Sequence, residues 1–190
     1  MRFAAKSMVM ALVGLVATSS VWAQMPQPGE QHVNMAREAG VWDAEVKMWM
    51  SPDAPPMPSK GIETNTMLGD FWMLSDFEMD MGGMKYKGRG QYGYDPKKKK
   101  YVGTWVDNMS PYLSTMEGDY DVETHTLTMV STGINMMTGK EQKSKMVSKY
   151  IDENTKHFEI HHAVEGEEGK WWKAMEISYK KRAKSDAVLK

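Results

Sequence analysis

The sequence predicts an all-β protein, a single antiparallel meander of about ten strands closed into a barrel and preceded by a short N-terminal helix. Three observations carry this. Ten runs alternate apolar and polar residues with a period of two. The segments between them are turn chemistry: Gly69-Asp70, Asp95-Pro96, Thr138-Gly139, Asp152-Glu153-Asn154 and Gly166 to Gly169. No gap is long enough for the crossover helix that a parallel sheet needs. Closure into a barrel would remove both exposed edges, and a two-sheet sandwich is the competing arrangement.

The chain opens on an export signal. Arg2 and Lys6 precede the apolar run Met8 to Val16, and "ATSSVWA" follows, with short residues at Val21 and Ala23 suited to a signal peptidase. Residues 1–23 are therefore read as a signal peptide, with cleavage after Ala23 and a periplasmic or secreted product. The uncharged stretch from Ser7 to Ala23 is short against the roughly 20 residues that span a bilayer, so no transmembrane span is expected after cleavage. The mature chain of about 167 residues suffices for one domain with a real core. Its net charge of about −3 argues against a nucleic-acid partner; Lys97 to Lys100 and "KKRAK" read as solvated loop and tail. With no cysteine, an exported fold gains nothing from disulfides and rests on packing.

Residues 24–40 hold proline and glycine and then a helical stretch from about Glu30 to Ala39, with Gly40 placed to cap it. At Val41 the period becomes two: "VWDAEVKMW" puts Trp42, Ala44, Val46 and Met48 on one side and three charges on the other. "SPDAPPMPSKG", with four prolines, reads as an extended surface loop. The remaining strand runs are Ile62 to Leu68, Phe71 to Met79, Lys85 to Tyr94, Tyr101 to Val106, Tyr112 to Tyr120, Thr126 to Ile134, Lys143 to Ile151, His157 to Val164 and Trp171 to Tyr179. The barrel domain thus covers residues 41–180, leaving 181–190 as a basic tail.

Charges declare the inner face. In "KYKGRGQYGY" Lys85, Lys87, Arg89 and Gln91 share one side and Tyr86, Gly88, Gly90, Tyr92 and Tyr94 the other; in "KSKMVSKYI" Met146, Ser148 and Tyr150 oppose the lysines. An interior of aromatics, methionines and hydroxyls resembles a ligand cavity, although tyrosines can also fill a small barrel solidly. Trp42, Tyr92, Tyr94, Trp105, Met146, Tyr150 and His162 are the expected ligand-binding residues.

Other chemistries compete for the same chain. Thioethers suit Cu(I), and "MDMGGM" brings Met79, Met81 and Met84 within six residues as a candidate copper site. The chain is methionine-rich, with 20 in all, so the same residues also read as adaptable filler around a hairpin. His157 and His161 alternate on one strand face about 13 Å apart at ~3.3 Å per residue, too far to share an ion unaided. His162 joins Phe158, Ile160 and Val164 on the apolar face, as a satisfied core histidine or as a ligand- or haem-contacting one. Glu117, Asp119 and Asp121 read as a strand's wet face. Asp107 is in phase with Tyr101 and Trp105, but Val102, Thr104 and Val106 make the opposite face an equal candidate for the interior. No catalytic motif is present, and no catalytic residue or cofactor is assigned.

The order of features resembles a bacterial family of unknown function, DUF1579, from about His32 to Lys181. The shared parts are the "GVW" opening, the proline-rich loop ending in "KG", "MGGMKYKGRGQYGYD", "KKYVGTWVDNMS", "GDYD" followed by "TLT", "TGK" and "MEISYKK". The resemblance implies a lipocalin-like barrel, usually exported, with no assigned activity, in which methionines near Met79 to Met84 are ordinary. The chain departs from the pattern at "SPYLS" and at His161-His162, so nothing functional is carried over there. The expectation is an exported barrel binding a small apolar or amphipathic molecule. A Cu(I)- or haem-handling protein, an envelope enzyme and a solid structural barrel are the alternatives.

Overall fold

The computed structural model describes residues 26–135 and 138–183. The signal peptide read over residues 1–23, Met136 and Met137, and the end of the basic tail lie outside the described residues. Helix α1 (Glu30–Ala36) leads into ten strands: β1 (Gly40–Met48), β2 (Met57–Leu68), β3 (Trp72–Asp80), β4 (Lys85–Asp95), β5 (Lys100–Asp107), β6 (Ser110–Asp121), β7 (Thr126–Ile134), β8 (Glu141–Asp152), β9 (Thr155–Ala163) and β10 (Trp171–Lys181). Each strand pairs antiparallel with the next, and β10 returns to β1, with Trp42 opposite Lys181 and Met48 opposite Met175. That last pairing closes the barrel and rules out the sandwich.

The turns work as their sequences suggest. Asp95, Asp121 and Asp152 each end a strand and accept bonds from backbone N–H groups two or three residues on, reversing the chain without help from outside. Cross-strand charges line the outer face, including a bidentate Arg89–Asp76 pair at 2.6 and 2.9 Å and Lys87–Glu78 at 2.7 Å. Such exposed pairs set register more than they stabilise. Asp76, Glu78 and Lys87 also line an outer hollow over β1 to β4.

Element ends fall within two residues of the sequence reading except at two boundaries. The helix ends at Ala36, not Ala39, and passes into tight turns with Glu38 N–H bonded to the Met35 carbonyl at 3.0 Å. Glu38 is buried, its carboxylate directed to Lys156 on β9, two strands round the barrel from β1, so the chain must leave the helix there. Gly40 is consequently no helix cap; it begins β1 at φ +136°, a conformation that favours glycine. β2 starts at Met57, inside the proline-rich segment: Pro58 faces Lys47 and Ser59 faces Val46. A proline near the start of a strand removes at most one ladder bond, so the ladder begins around it.

The end of the barrel from which β1 departs is plugged by α1, whose His32 is buried with its ring edge-on to Phe71 (5.2 Å) and Tyr94 (6.0 Å). At the opposite end lie the β1–β2, β3–β4, β5–β6, β7–β8 and β9–β10 connections. Inside are two packed groups. Trp42, Ala44, Val46, Met48, Phe77, Met79, Ile177 and Tyr179 form one, and Tyr101, Met116 and Met129 the other.

Inward glycines shape what remains. A Cβ on Gly88 would lie 2.1 Å from the Trp105 ring, and one on Gly90 or Gly103 within 2.7 Å of the Tyr92 ring. The two aromatic rings therefore lie flat against neighbouring strands rather than standing into the lumen, which only glycine permits.

Candidate functional site

The plugged end holds a buried ion network. Lys156 follows the β8–β9 turn as the first inward residue of β9, cross-strand from Tyr150 and Tyr179. Its Nζ donates to Glu38 Oε2 at 2.6 Å and to Glu63 Oε1 at 2.8 Å, with side chains 8%, 8% and 13% exposed. The ammonium also sits 4.7 Å from the Trp42 ring centroid and 4.6 Å from that of Tyr179. Tyr179 donates its hydroxyl to Glu63 Oε2 at 2.7 Å, Asn65 Nδ2 donates to Glu63 Oε1 at 2.8 Å, and Trp42 Nε1 donates to the Glu38 carbonyl at 2.9 Å.

The titration of these groups follows from burial set against partners. Burial opposes charge on Lys156, but the Glu63 and Glu38 carboxylates outweigh it and hold the pKa above the ordinary lysine value. Burial would raise the Glu63 pKa, yet Lys156, Tyr179 and Asn65 together hold it below the usual glutamate value. Burial, then the Glu38 and Glu63 charges, push the Tyr150 and Tyr179 phenols up. Burial, with Tyr120 and Tyr94 beside it, takes Tyr101 up to about 12. All these phenols are protonated donors at neutral pH.

One atom of the network lacks a partner. Asn65 is 2% exposed, and its Oδ1 accepts no hydrogen bond. Swapping the amide would turn oxygen toward the Glu63 carboxylate, so the orphan is intrinsic to the arrangement.

Above this floor the wall is apolar. Met146, Ser148, Phe158 and Ile160 face inward in mid-strand and are only half-buried. Tyr92 and Trp105 complete this level; Trp105 Nε1 donates to the Tyr86 hydroxyl at 3.1 Å. Toward the open end, His162 Nδ1 is 2.8 Å from Ser144 Oγ and its ring is edge-on to Trp172 at 5.3 Å. Burial, with His161 nearby, lowers the His162 pKa, which keeps the imidazole neutral at pH 7. From Lys156 to His162 the strand runs ~20 Å at about 3.3 Å per residue.

All seven expected ligand-binding residues lie on the inner face, but not together. Trp42, 2% exposed, walls the ion network with Tyr150; Tyr94 continues the tyrosine arc of the floor; Tyr92, Trp105 and Met146 line the middle; His162 stands near the mouth. Asp107 also faces inward, opposite Gly88, while Val106 is exposed. The sequence reading missed Glu38, Glu63, Asn65, Lys156 and Tyr179. Lys156 is in phase with Phe158, Ile160 and His162, and Glu63 with Gly61 and Asn65, so alternation alone would have placed both inside. No local signal marks Glu38.

The methionine box forms the β3–β4 hairpin. Met79 is 5% exposed in the core, Met81 packs against that core and Met84 is half exposed. Met81 N–H bonds the Met84 carbonyl at 2.8 Å, and Gly82 and Gly83 adopt positive φ to turn the chain. On the outer face, His161 and His157 flank Glu159 at 2.8 and 3.6 Å. Glu159 faces Glu176 across the strand pair, and Lys173 and Lys47 already neutralise both carboxylates.

A closed ten-strand meander with one end plugged by a short helix and a partly exposed inner wall is a lipocalin-like barrel. The chain belongs to the family described as a protein of unknown function, DUF1579, whose match spans residues 27–181. No curated protein matches the sequence. Among solved structures it is similar to Rv2717c from M. tuberculosis, with TM-score 0.60 and 8% identity over 83% of this chain and 100% of that one. It is also similar to the S-type phycobiliprotein lyase CPES from Guillardia theta, with TM-score 0.51 and 11% identity over 83% and 99%. At such identities the likeness is one of fold. Among the described residues no helix is long and apolar enough to cross a membrane.

Proposed function

We propose that this barrel binds a small apolar or amphipathic molecule in its lumen, reached from the end opposite α1. The carrying observation is the half-buried state of Met146, Ser148, Phe158 and Ile160, which point inward between paired strands and would be fully buried in a solid barrel. Tyr92 adds a polar handle, since its hydroxyl makes no hydrogen bond to the protein while burial and the Glu63 charge keep it protonated. The barrel fold is shared with a phycobiliprotein lyase.

Titration with fatty acids, fatty amines, haem and small aromatics tests the reading. Binding is expected to change tryptophan emission, with the change much reduced in Trp105→Phe. Tyr92→Phe is expected to weaken affinity by about threefold to tenfold without loss of stability. His162→Ala should affect haem and spare lipid, because only iron needs the imidazole. A protein that binds none of these, and whose interior has no void larger than a few waters, would overturn the binding reading and leave a solid structural barrel. Native mass spectrometry of protein from its own envelope would show a bound organic mass, or copper if Met79, Met81 and Met84 act as ligands.

We also propose that the protein is exported, on the order of charge, apolar run and small residues over positions 1–23. The intact mass of envelope protein should begin at Gln24; a mass that includes residues 1–23 would refute export by cleavage.

A further inference from the structure

We propose that the lumen selects its ligand by the sign of head-group charge, taking an amphiphile with an ammonium head in preference to one with a carboxylate. This rests on the lumen-binding reading above and adds the ligand's chemistry. Among the described residues the inward acidic and basic side chains are Glu38, Glu63 and Asp107 against Lys156 and Lys181, with His32 in the plug and His162 near the mouth. Carboxylates outnumber ammonium groups, and of the two ammonium groups only Lys156 is paired with carboxylates. Lys156 is bound by two carboxylates and covered by the Trp42 and Tyr179 rings. Lys181 donates to the Arg37 carbonyl at 2.7 Å and sits 5.1 Å from the Trp42 ring centroid. An entering carboxylate therefore meets more carboxylates than ammonium groups, and the more buried ammonium, Lys156, is already paired twice.

An ammonium head finds the reverse. The floor has a surplus of acceptors: the Asn65 Oδ1 without a donor, and a Glu63 carboxylate whose three bonds leave a lone pair. Beside them Tyr94, Tyr101, Tyr120 and Tyr150 run as an arc of rings with successive centroids 5.3, 6.4 and 6.1 Å apart, the kind of aromatic wall that attracts alkylammonium groups. The apolar level of Met146, Phe158 and Ile160 above the floor takes the alkyl body.

The test uses the mature protein and four probes of one chain length: dodecylamine, dodecyltrimethylammonium, dodecanol and dodecanoate, below their micelle concentrations and at neutral pH. Trp105-dependent emission, taken as the difference between wild type and Trp105→Phe, restricts the readout to the lumen. Amine or trimethylammonium is expected to bind at least tenfold more tightly than dodecanoate, with dodecanol between. Dodecanoate binding equal to or tighter than the amine overturns the charge inference and leaves the lumen reading standing. If none of the four binds, both fall. Glu63→Gln, its folding checked by circular dichroism, should shrink the amine preference several-fold; a folded variant with an unchanged preference removes the floor as the selector. If that variant does not fold, the wild-type series decides alone.

Discussion

Lys156→Met is expected to destabilise the barrel by about 3–5 kcal/mol at neutral pH, because it strands two buried carboxylates without their ammonium. The pH dependence identifies the cause. Folded Glu63 titrates below its unfolded value, so its contribution is present above ordinary glutamate pH and is lost as pH falls through the lowered value. Folded Lys156 titrates above its unfolded value, so its contribution is present at and below ordinary lysine pH and is lost as pH rises through the raised value. The wild-type network therefore holds across the whole range between. In Lys156→Met, burial acts on Glu63 with only the Tyr179 and Asn65 hydrogen bonds to oppose it, the folded state takes up protons, and the deficit narrows from neutral to mildly acid pH. Urea melts of both proteins at the two pH values measure this. A deficit under about 1 kcal/mol, or one independent of pH, would mean that the carboxylates are solvated and not buried.

Gly118→Ala is expected to cost about 3 kcal/mol or more, the upper end of overpacking effects, or to prevent folding. A Cβ there would lie 1.9 Å from the Thr128 carbonyl oxygen and 2.6 Å from the Met129 Cα. Both are backbone of β7, the paired neighbour, so no rotamer change relieves the clash and the strand itself must move. Gly88→Ala meets only the Trp105 side chain, which can swing into the lumen. Its expected signature is a smaller loss of stability with a larger loss of ligand binding. Thermal melts of the two variants beside the lumen titration separate these effects; a Gly118→Ala protein as stable as wild type would show that β6 and β7 can part at little cost.

Much of the fold was legible because strand alternation and turn chemistry are local. "KYKGRGQYGY" reveals its inner face by where its charges fall, and Asp95, Asp121 and Asp152 reverse the chain with bonds to residues two or three away. The proline-rich segment misled because a breaker near a strand's start limits pairing without forbidding it, and the partner that pairs there, Lys47, is set by tertiary register. The helix end was missed for a similar reason: Glu38 leaves the helix to reach a lysine 118 residues away.

By itself, the sequence determined the strands, their inner faces, the turns, the family and the aromatic, methionine-bearing character of the interior, since each is written in residues close together along the chain. Only the tertiary structure decided that β10 closes on β1, and that Glu38, Glu63, Asn65, Lys156 and Tyr179 meet in one buried network. It also decided which inward side chains are fully buried as core and which stay partly exposed. The physical reason is that alternation assigns a side chain to a face but carries no information about what stands across the barrel from it, and a buried charge is tolerable only through that distant partner.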